Sequence, residues 1–291
     1  MMAEAPTSVL TIVRGRADHL RALMTGLSRQ SRPPCELVIA WMQPEEAEAL
    51  PALPYPVRRV FVGGDDMPLA AARNRAAEAA SGEHLVFLDV DCIPSPTTVE
   101  FYAQALTLHD GVMLGEVHYL PGGLPVFTGD FTALEEHGVA HPSKPAFPDI
   151  GVMEEPDSGQ LWGLSFALRK ATWLSIGGMD ERFYGYGGEE TDLARRAGQA
   201  GIRTYRVGGA RAYHQHHAVH IPPLQHFDHI LRNARLYQAK HGVWCMDYWL
   251  GQFAERGLIE WTSEADAIRL LRRPDAHETE AARQPDHVLF S

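Results

Sequence analysis

The sequence is poor in cysteine and contains no long apolar run. Its three cysteines, Cys35, Cys92 and Cys245, are too few and too widely spaced for a disulfide framework or a zinc ribbon. No apolar stretch approaches the roughly 18 residues of a transmembrane helix, and the first residues lack the basic start and apolar core of a secretory signal. We therefore expect a cytoplasmic protein without a membrane span.

Positive charge is also scarce, because 26 Lys and Arg stand against 37 Asp and Glu and give a formal net charge of −11. Binding to nucleic acid needs a basic face that neutralises phosphates, so the composition argues against a nucleic-acid partner. A local basic pocket can still bind a smaller anion. The remaining composition, 45% hydrophobic and 22% charged, is that of an ordinary globular domain and excludes a disordered or coiled-coil chain.

Short apolar segments alternate with helical patterns along most of the chain. The spacing predicts strands over residues 8–13, 36–41, 57–62, 84–88, 112–120, 164–168 and 203–207. It predicts helices over residues 17–29, 68–80, 170–176, 189–199 and 224–240. Strands that alternate with helices are typical of a Rossmann-like, mostly parallel sheet, in which ligands bind at the carboxyl ends of the strands.

Two segments lack this regularity. Residues 121–160 are rich in proline, glycine and acidic residues, and a loop of that length is usually functional or mobile. We expect it to act as a lid over a ligand. The chain becomes polar after Trp261, and its last residues, about 15 in number, predict a loose tail.

Asp89 and Asp91 directly follow one of the predicted buried strands. Two carboxylates at i and i+2 can converge on one hard cation such as Mg²⁺ or Mn²⁺. An isolated D-x-D sequence is also compatible with a solvated acidic turn. Its place between a buried strand and the two prolines of the following loop, Pro94 and Pro96, favours the metal site.

Gly188, Glu189 and Glu190 open a predicted helix and follow Tyr184 and Tyr186. The helix dipole favours carboxylates in a first turn whatever their function. The glycine also lets a ligand approach the backbone closely, and a positioned carboxylate can serve as a general base toward a hydroxyl. Aromatic rings beside such carboxylates suit a bound sugar.

Histidines and arginines complete the candidate site. His214 and His216 stand two residues apart on an expected extended segment, so their side chains face the same way, and neutral imidazole is a common metal ligand. A surface cluster is the alternative, and we expect the later His226 and His229 at the surface or in an interface. The arginines suited to a diphosphate, which could equally be ordinary surface cations, are Arg14, Arg16 and Arg73.

Together these segments resemble GT-A nucleotide-sugar glycosyltransferases. Residues 69–80 are similar to the A-R-N helix of family 2, and residues 87–94 to its D-x-D strand and loop. Residues 12–20 are similar to the nucleotide-contacting stretch of galactosyltransferases, and residues 183–192, FYGYGGEETD, to the W-G-W-G-G-E-D-D-D motif of β-1,4-galactosyltransferases and polypeptide N-acetylgalactosaminyltransferases. The resemblance spans residues 8–217.

The resemblance implies one α/β domain of the GT-A fold, with a nucleotide-sugar-binding half at 1–105, a donor-sugar and acceptor half at 106–261, and a tail at 262–291. It implies a bacterial-type, metal-dependent, inverting glycosyltransferase that uses Mn²⁺ or Mg²⁺. The donor is a nucleotide-sugar, most simply a UDP-sugar. The acceptor is a saccharide, a lipid-linked saccharide or another hydroxyl compound, and contact with a membrane surface is left open.

The same resemblance implies roles for individual residues. Asp91 binds the metal with His214 or His216, Asp89 holds the ribose or assists the metal, and Glu190 is the catalytic base. The donor and its diphosphate are bound by the remaining candidates, Glu189, Gly188, Trp162, Arg14, Arg16 and Arg73.

Two other functions stay open from the sequence. A non-catalytic module that binds a sugar-nucleotide or a glycan needs the same pocket without the base. A nucleotidyltransferase on a similar sheet needs a glycine-rich, arginine-containing loop after the first strand, where this chain has only Arg14-Gly15-Arg16. The motif also departs from its relatives, because Tyr184 and Tyr186 replace two tryptophans.

Overall fold

A ten-stranded sheet forms the centre of the molecule in the computed structural model, which describes residues 5–47, 49–64 and 67–290. Its strands are β1 (Thr7–Val13), β2 (Glu36–Trp41), β3 (Val57–Phe61), β4 (His84–Leu88), β5 (Cys92–Pro94), β6 (Val112–Tyr119), β7 (Val139–Ala140), β8 (Gly151–Glu155), β9 (Ser165–Arg169) and β10 (Thr204–His214). A separate pair consists of β11 (Ile259–Glu260) and β12 (Arg269–Leu270).

Helices pack on both faces of this sheet and beyond it. They are α1 (Ala17–Leu27), α2 (Leu69–Ala79), α3 (Thr98–Leu108), α4 (Thr132–His137), α5 (Lys170–Ile176), α6 (Glu189–Gln199), α7 (Phe227–His241), α8 (Asp247–Glu255) and α9 (Ala276–Ala281). Within the described ranges, no helix combines the length and the apolar character that crossing a bilayer requires. The expected fold class, an α/β domain with a central sheet flanked by helices, is confirmed.

The strands β3, β2, β1 and β4 lie side by side in that order and form the parallel half of the sheet. Every residue of β1, β2 and β4 is buried, because helices cover both faces, and this explains their continuous apolar sequences. Parallel strands end at the same edge of a sheet. The segments that follow Val13 and Leu88 therefore meet at one edge.

The other half of the sheet is mixed, with more antiparallel pairing than the sequence indicates. β9 runs antiparallel between β4 and β6, whereas β10 runs parallel to β6 and continues past Val207, its expected end, to His214. The register shifts between Val207 and Arg211. Gly208 fits this irregularity because a Cβ there would lie 2.2 Å from the carbonyl oxygen of Pro148. The extension of β10 brings His214 to the ligand-binding edge.

Two apolar layers enclose the sheet. On one face, α2, α5 and α6 pack around Phe87, whose ring centroid lies 4.6 Å from that of Phe166 and 4.8 Å from that of Trp173. On the other face, α1 and α3 pack around Leu23 and Tyr102. A third apolar cluster joins α7, α8 and β11 beyond the sheet.

The two segments expected to be irregular are structured in part. Residues 121–160 contain α4, β7 and β8, and β8 pairs with β10. The end of the chain is not a loose tail: α9 begins with a capping box between Asp275 and Glu278, and the N–H of Gln284 donates to the carbonyl of Val219 (2.8 Å). This last segment is therefore packed against the residues that follow β10.

We predict that Phe166→Ala lowers the free energy of unfolding by about 3–5 kcal/mol. The reason is that this fully buried ring stacks on Phe87, so that its removal leaves a cavity. Phe61→Ala is the control, because Phe61 is 54% exposed at the end of β3, and we expect a change within about 0.5 kcal/mol. Urea unfolding measures both, and equal losses would contradict the described packing.

Candidate active site

Asp89 and Asp91 lie just beyond the carboxyl end of β4. The N–H of Asp89 donates to the carbonyl of Leu164, next to β9 (2.9 Å), and the N–H of Cys92 donates to the carbonyl of Asp89 (2.9 Å). These bonds fix the turn between β4 and β5. The side chain of Asp91 is 6% exposed and that of Asp89 is 25% exposed, so Asp89 is the more open of the two.

Asp91 lies beside two histidines. Its Oδ1 is 3.6 Å from Nε2 of His214, and its Oδ2 is 3.7 Å from Nε2 of His217. His214 reaches this position because β10 pairs with β5 and sets His214 opposite Cys92. The ligand atoms of Asp91, His214 and His217 lie within 4.8 Å of one another, which is close enough for one metal ion.

The protonation states of this group fit a divalent cation. Burial lowers the pKa of His214 and lowers that of His217 to about 4, so both rings are neutral at pH 7. Burial by itself would raise the pKa of Asp91, but His214, Arg16 and His217 outweigh burial and lower it. Metal binding requires deprotonated ligands, and two neutral imidazoles with one carboxylate suit first-row divalent metals.

The structure corrects one expected ligand, because it brings His217, and not His216, to Asp91. The expectation assumes an extended chain through these residues. Instead β10 ends at His214, and the next backbone N–H donates to the carbonyl of Asp91 (2.7 Å), which turns the chain. The alternation of side chains stops there, and Nε2 of His216 lies 3.5 Å from Oδ1 of Asp286. The run of histidines in the sequence does point to a metal ligand here, but the two-residue period of a strand selects His216 and not His217.

Arg14 and Arg16 follow β1 at the same edge of the sheet. The backbone of Arg16 is left-handed (φ 49°) at the start of α1, and its Nη1 forms an ion pair with Oδ2 of Asp91. Arg14 is exposed at the end of the strand. Ligands of such sheets bind at this edge, and a diphosphate contact by either arginine stays a prediction.

Arg73 lies on the predicted helix α2 and is enclosed among carboxylates, and its contact with a nucleotide stays a prediction. Its side chain on α2 is 3% exposed. The guanidinium lies 2.9 Å from Oδ1 of Asp89, 3.3 Å from Oε1 of Glu190 and 3.4 Å from Oε1 of Glu189. One buried cation therefore joins the D-x-D turn to the first turn of α6.

Glu190 has the environment of a general base. Its side chain is 17% exposed. Burial raises its pKa well above the ordinary value, Glu189 and Asp89 raise it further, and Arg73 opposes them only in part. A carboxylate with a raised pKa accepts a proton more readily near neutral pH. Gly163 faces Glu190 closely, because a Cβ there would lie 2.3 Å from its Oε1.

Glu189 and Gly188 lie beneath this carboxylate. The side chain of Glu189 is 2% exposed and contacts the guanidinium of Arg73. Gly188 precedes α6 with φ 94°, and a Cβ there would come 3.2 Å from the ring of Phe183. Both residues hold the start of α6 in place, and their direct contact with a donor sugar stays a prediction.

Trp162 forms one wall of a cavity between β6 and β9. Nζ of Lys144 lies 3.5 Å from the ring centroid of Trp162, and the ring of His141 meets the Trp162 ring edge-on, with the centroids 4.8 Å apart. Phe290 contacts His141 at 4.5 Å and Tyr119 at 5.0 Å. Sequence reasoning misses Lys144, His141 and Phe290, because they come from segments without periodicity.

Tyr186 and His226 stack face to face, with ring centroids 4.2 Å apart and an angle of 11° between the planes. His226, expected at the surface, is half-buried, and burial lowers its pKa to about 4. Burial and then Glu190 raise the pKa of Tyr186, which places this stack within electrostatic reach of the carboxylates. Trp249 extends the aromatic group at 5.6 Å from Tyr186.

We predict that His217→Asn abolishes stabilisation by Mn²⁺, because it removes one of the three ligand atoms around the candidate ion position. Ligands that bind the folded state raise the melting temperature by mass action. His216→Asn is the matched control, since His216 lies toward Asp286, and it should keep the shift. A Mn²⁺ titration monitored by thermal unfolding measures this, and the opposite pattern would exchange the two histidines.

We predict that Arg73→Met destabilises the fold by about 3–5 kcal/mol, because Asp89, Glu189 and Glu190 lose their buried counter-charge. Burial already raises the pKa of Asp89 to about 6. The loss should therefore shrink as the pH falls from about 8 to about 5, where Asp89 and Glu190, whose pKa values are raised, take up protons. Urea unfolding across this pH range measures the loss of unfolding free energy.

The control is Arg75→Met, at a side chain that is 52% exposed on the same helix. A loss in Arg73→Met that does not change with pH would contradict the assignment of Arg73 as the buried counter-charge.

Two family descriptions match the chain, in order along it. Residues 8–123 match glycosyl transferase family 2, and residues 154–220 match the N-terminal domain of galactosyltransferase. The first range contains the D-x-D turn, and the second contains Glu190 and the histidine run. A search of curated protein sequences finds no match.

Solved structures share the fold at low sequence identity. GalNAc-T7, determined with UDP, GalNAc and Mn²⁺, matches with a TM-score of 0.58 and 16% identity over 88% of this chain and 51% of that one. TarS of S. aureus, residues 1–349, matches with a TM-score of 0.55 and 15% identity over 87% of this chain and 72% of that one. A second TarS structure gives a TM-score of 0.54 and 16% identity over 87% and 43%.

This chain therefore spans about half the length of GalNAc-T7. The family matches fall on the segments that carry the resemblance in the sequence, and the shared fold covers most of the chain. The resemblance is confirmed: the chain has the GT-A fold and contains segments that match glycosyl transferase family 2 and the galactosyltransferase domain.

Proposed function

We propose that this chain is a metal-dependent, inverting glycosyltransferase that transfers a sugar from a UDP-sugar to the hydroxyl of an acceptor. The observation that carries the proposal is the position of Arg73. Its buried guanidinium lies 2.9 Å from Asp89 in the D-x-D turn and 3.3 Å from Glu190. The candidate base is thus held beside the turn at which a nucleotide-sugar is expected.

In this proposal Glu190 takes the proton of the acceptor hydroxyl as that oxygen attacks the anomeric carbon of the donor sugar. A new bond forms from the acceptor oxygen to this carbon. The bond from the carbon to the diphosphate oxygen breaks, and the diphosphate leaves with the electron pair. Direct displacement with a single carboxylate base inverts the configuration at the carbon. The raised pKa of Glu190, caused first by burial, supports its part as the base.

Asp91, His214 and His217 would hold the cation, which when bound neutralises charge on the departing diphosphate. Two imidazole ligands favour Mn²⁺ over Mg²⁺, because Mg²⁺ prefers a shell of oxygen ligands. Arg14 and Arg16 lie at the same edge of the sheet and supply further positive charge toward the diphosphate.

The ligands bound to one neighbour support the donor class, because GalNAc-T7 was determined with UDP, GalNAc and Mn²⁺. We assign nucleotide binding to residues 1–105, with Asp89 at the ribose, and donor-sugar and acceptor binding to residues 106–261, with Trp162 at the sugar. The acceptor class includes saccharides, lipid-linked saccharides and other hydroxyl compounds. The cytoplasmic location stays a prediction from the sequence.

A nucleotide panel tests the donor. Melting temperatures are measured with UDP, GDP, TDP, CDP and ADP, each with and without Mn²⁺, and we expect a clear rise for UDP with Mn²⁺. A rise for GDP with Mn²⁺ would keep the mechanism and change the donor base. No rise with any nucleotide would overturn the proposal and favour a glycan-binding module.

We predict that Glu190→Gln lowers turnover, measured as UDP released from a UDP-sugar, by about 10²–10⁴-fold. The thermal shift with UDP and Mn²⁺ should remain, because the substitution keeps the shape of the side chain and removes only the base. Glu78→Gln, at a side chain 74% exposed on α2, is the control and should keep full turnover. Unchanged turnover in Glu190→Gln would remove this residue as the base.

A further inference from the structure

A cavity lies beside the candidate base, between the ends of β6 and β9 and the segment that follows β7. Its charged and aromatic lining residues include Glu116, Tyr119, His141, Lys144, Trp162 and Arg206. Trp162 precedes Gly163, and Gly163 abuts the carboxylate of Glu190. A sugar that packs on Trp162 at the reacting end would therefore place one of its substituents in this cavity.

Lys144 is the distinctive group of the cavity. Its Nζ lies 3.5 Å from the centroid of the Trp162 ring and donates a hydrogen bond to the carbonyl of Gln160. Across the described ranges, no carboxylate oxygen lies within 4.0 Å of this ammonium in an ion pair. The ammonium is thus held by a ring face and a backbone carbonyl, both of which are neutral.

The other charged lining residues are already paired. Glu116 lies 2.7 Å from Arg211 and 3.2 Å from His118. Arg206 lies 3.0 Å from a carboxylate oxygen of Glu155. Their charges are therefore compensated by direct ion pairs, whereas no described carboxylate forms such a pair with Lys144.

Burial acts strongly on this ammonium. It lowers the pKa of Lys144 to about 7, although Asp157 and Glu155 act in the opposite direction. A partly desolvated ammonium gains most from a bound anion, because a charge-assisted hydrogen bond replaces the lost hydration. The cavity thus has the electrostatic character of a site for a negatively charged group.

We propose that this cavity receives an oxyanion, a carboxylate or a phosphate, carried by the sugar that packs on Trp162, and that Lys144 selects substrates bearing it. The inference rests on the proposed function, since it assigns the substrate to the same site. The oxyanion has two possible carriers, the transferred sugar of the donor or the acceptor. Lys144 is a specificity-determining residue in either case, and Glu190 remains the base.

Two matched pairs of probes separate these carriers. The first pair is UDP-glucuronate and UDP-glucose, each with Mn²⁺, and the second is glucose 6-phosphate and glucose, each with UDP and Mn²⁺. Calorimetry gives the affinities for the wild type, for Lys144→Met and for Lys170→Met. Lys170 is the matched control because its ammonium also donates to a backbone carbonyl, that of Ala80, in the loop after α2.

We expect the wild type to bind the charged member of one pair about tenfold more tightly than the neutral member, because one added charge-assisted hydrogen bond changes the dissociation constant by about this factor. Lys144→Met should lose this preference, and Lys170→Met should keep it. A preference in the first pair places the oxyanion on the donor, and one in the second pair places it on the acceptor. Equal affinities in both pairs, or a preference that survives Lys144→Met, would overturn the inference.

A measurement on the wild type keeps the test valid if Lys144→Met does not fold. The chain contains three lysines, Lys144, Lys170 and Lys240, so acylation by a limiting amount of acetic anhydride is easily located by peptide mass spectrometry. The charged probe should protect Lys144 alone, and equal protection by the neutral probe would count against the oxyanion site. If UDP binds but the charged and neutral probes bind equally well, only this inference is contradicted. If no nucleotide binds, the proposed function itself is contradicted.

Discussion

The ion pairs of Arg73 are the interaction on which the rest of the site depends. Removing one partner of a buried charge group leaves uncompensated charge, so this guanidinium fixes Asp89 and Glu190 relative to each other. Asn74, the next residue of α2, exchanges two hydrogen bonds of 2.9 Å with the backbone of Met179. The helix α2 therefore joins the parallel half of the sheet to the loop that precedes α6.

The two aspartates of the D-x-D turn have opposite electrostatic surroundings. Asp91 faces His214, Arg16 and His217, which lower its pKa despite burial. Burial raises the pKa of Asp89 to about 6, and the charges of Asp91 and Glu189 act in the same direction, while Arg73 opposes them only in part. Asp91, on one side of the turn, is thus an ionised candidate ligand for a cation. On the other side lie Asp89 and Glu190, whose raised pKa values mean that they hold protons more readily. This separation suits a reaction that stabilises a leaving anion on one side and removes a proton on the other.

The walls of the site come from segments without regular sequence patterns. Lys144 and His141 contact Trp162 from the segment between β7 and β8, and Phe290 reaches His141 from the end of the described chain. These contacts join residues that are distant in sequence. The sheet and its turns therefore position the reacting groups, and the irregular segments decide the shape and charge of the space in which a sugar would lie.

The sequence by itself determined the α/β architecture, the bounds of the strands in the parallel half of the sheet, and the family resemblance, because apolar periodicity and ordered motifs are local features. It also marked Asp89, Asp91 and Glu190 at the ends of those elements. Only the tertiary structure decided that His217 and not His216 faces Asp91, that Arg73 is enclosed, and that the final segment packs on the fold. These outcomes depend on a chain turn and on long-range burial, and no local spacing encodes either of them.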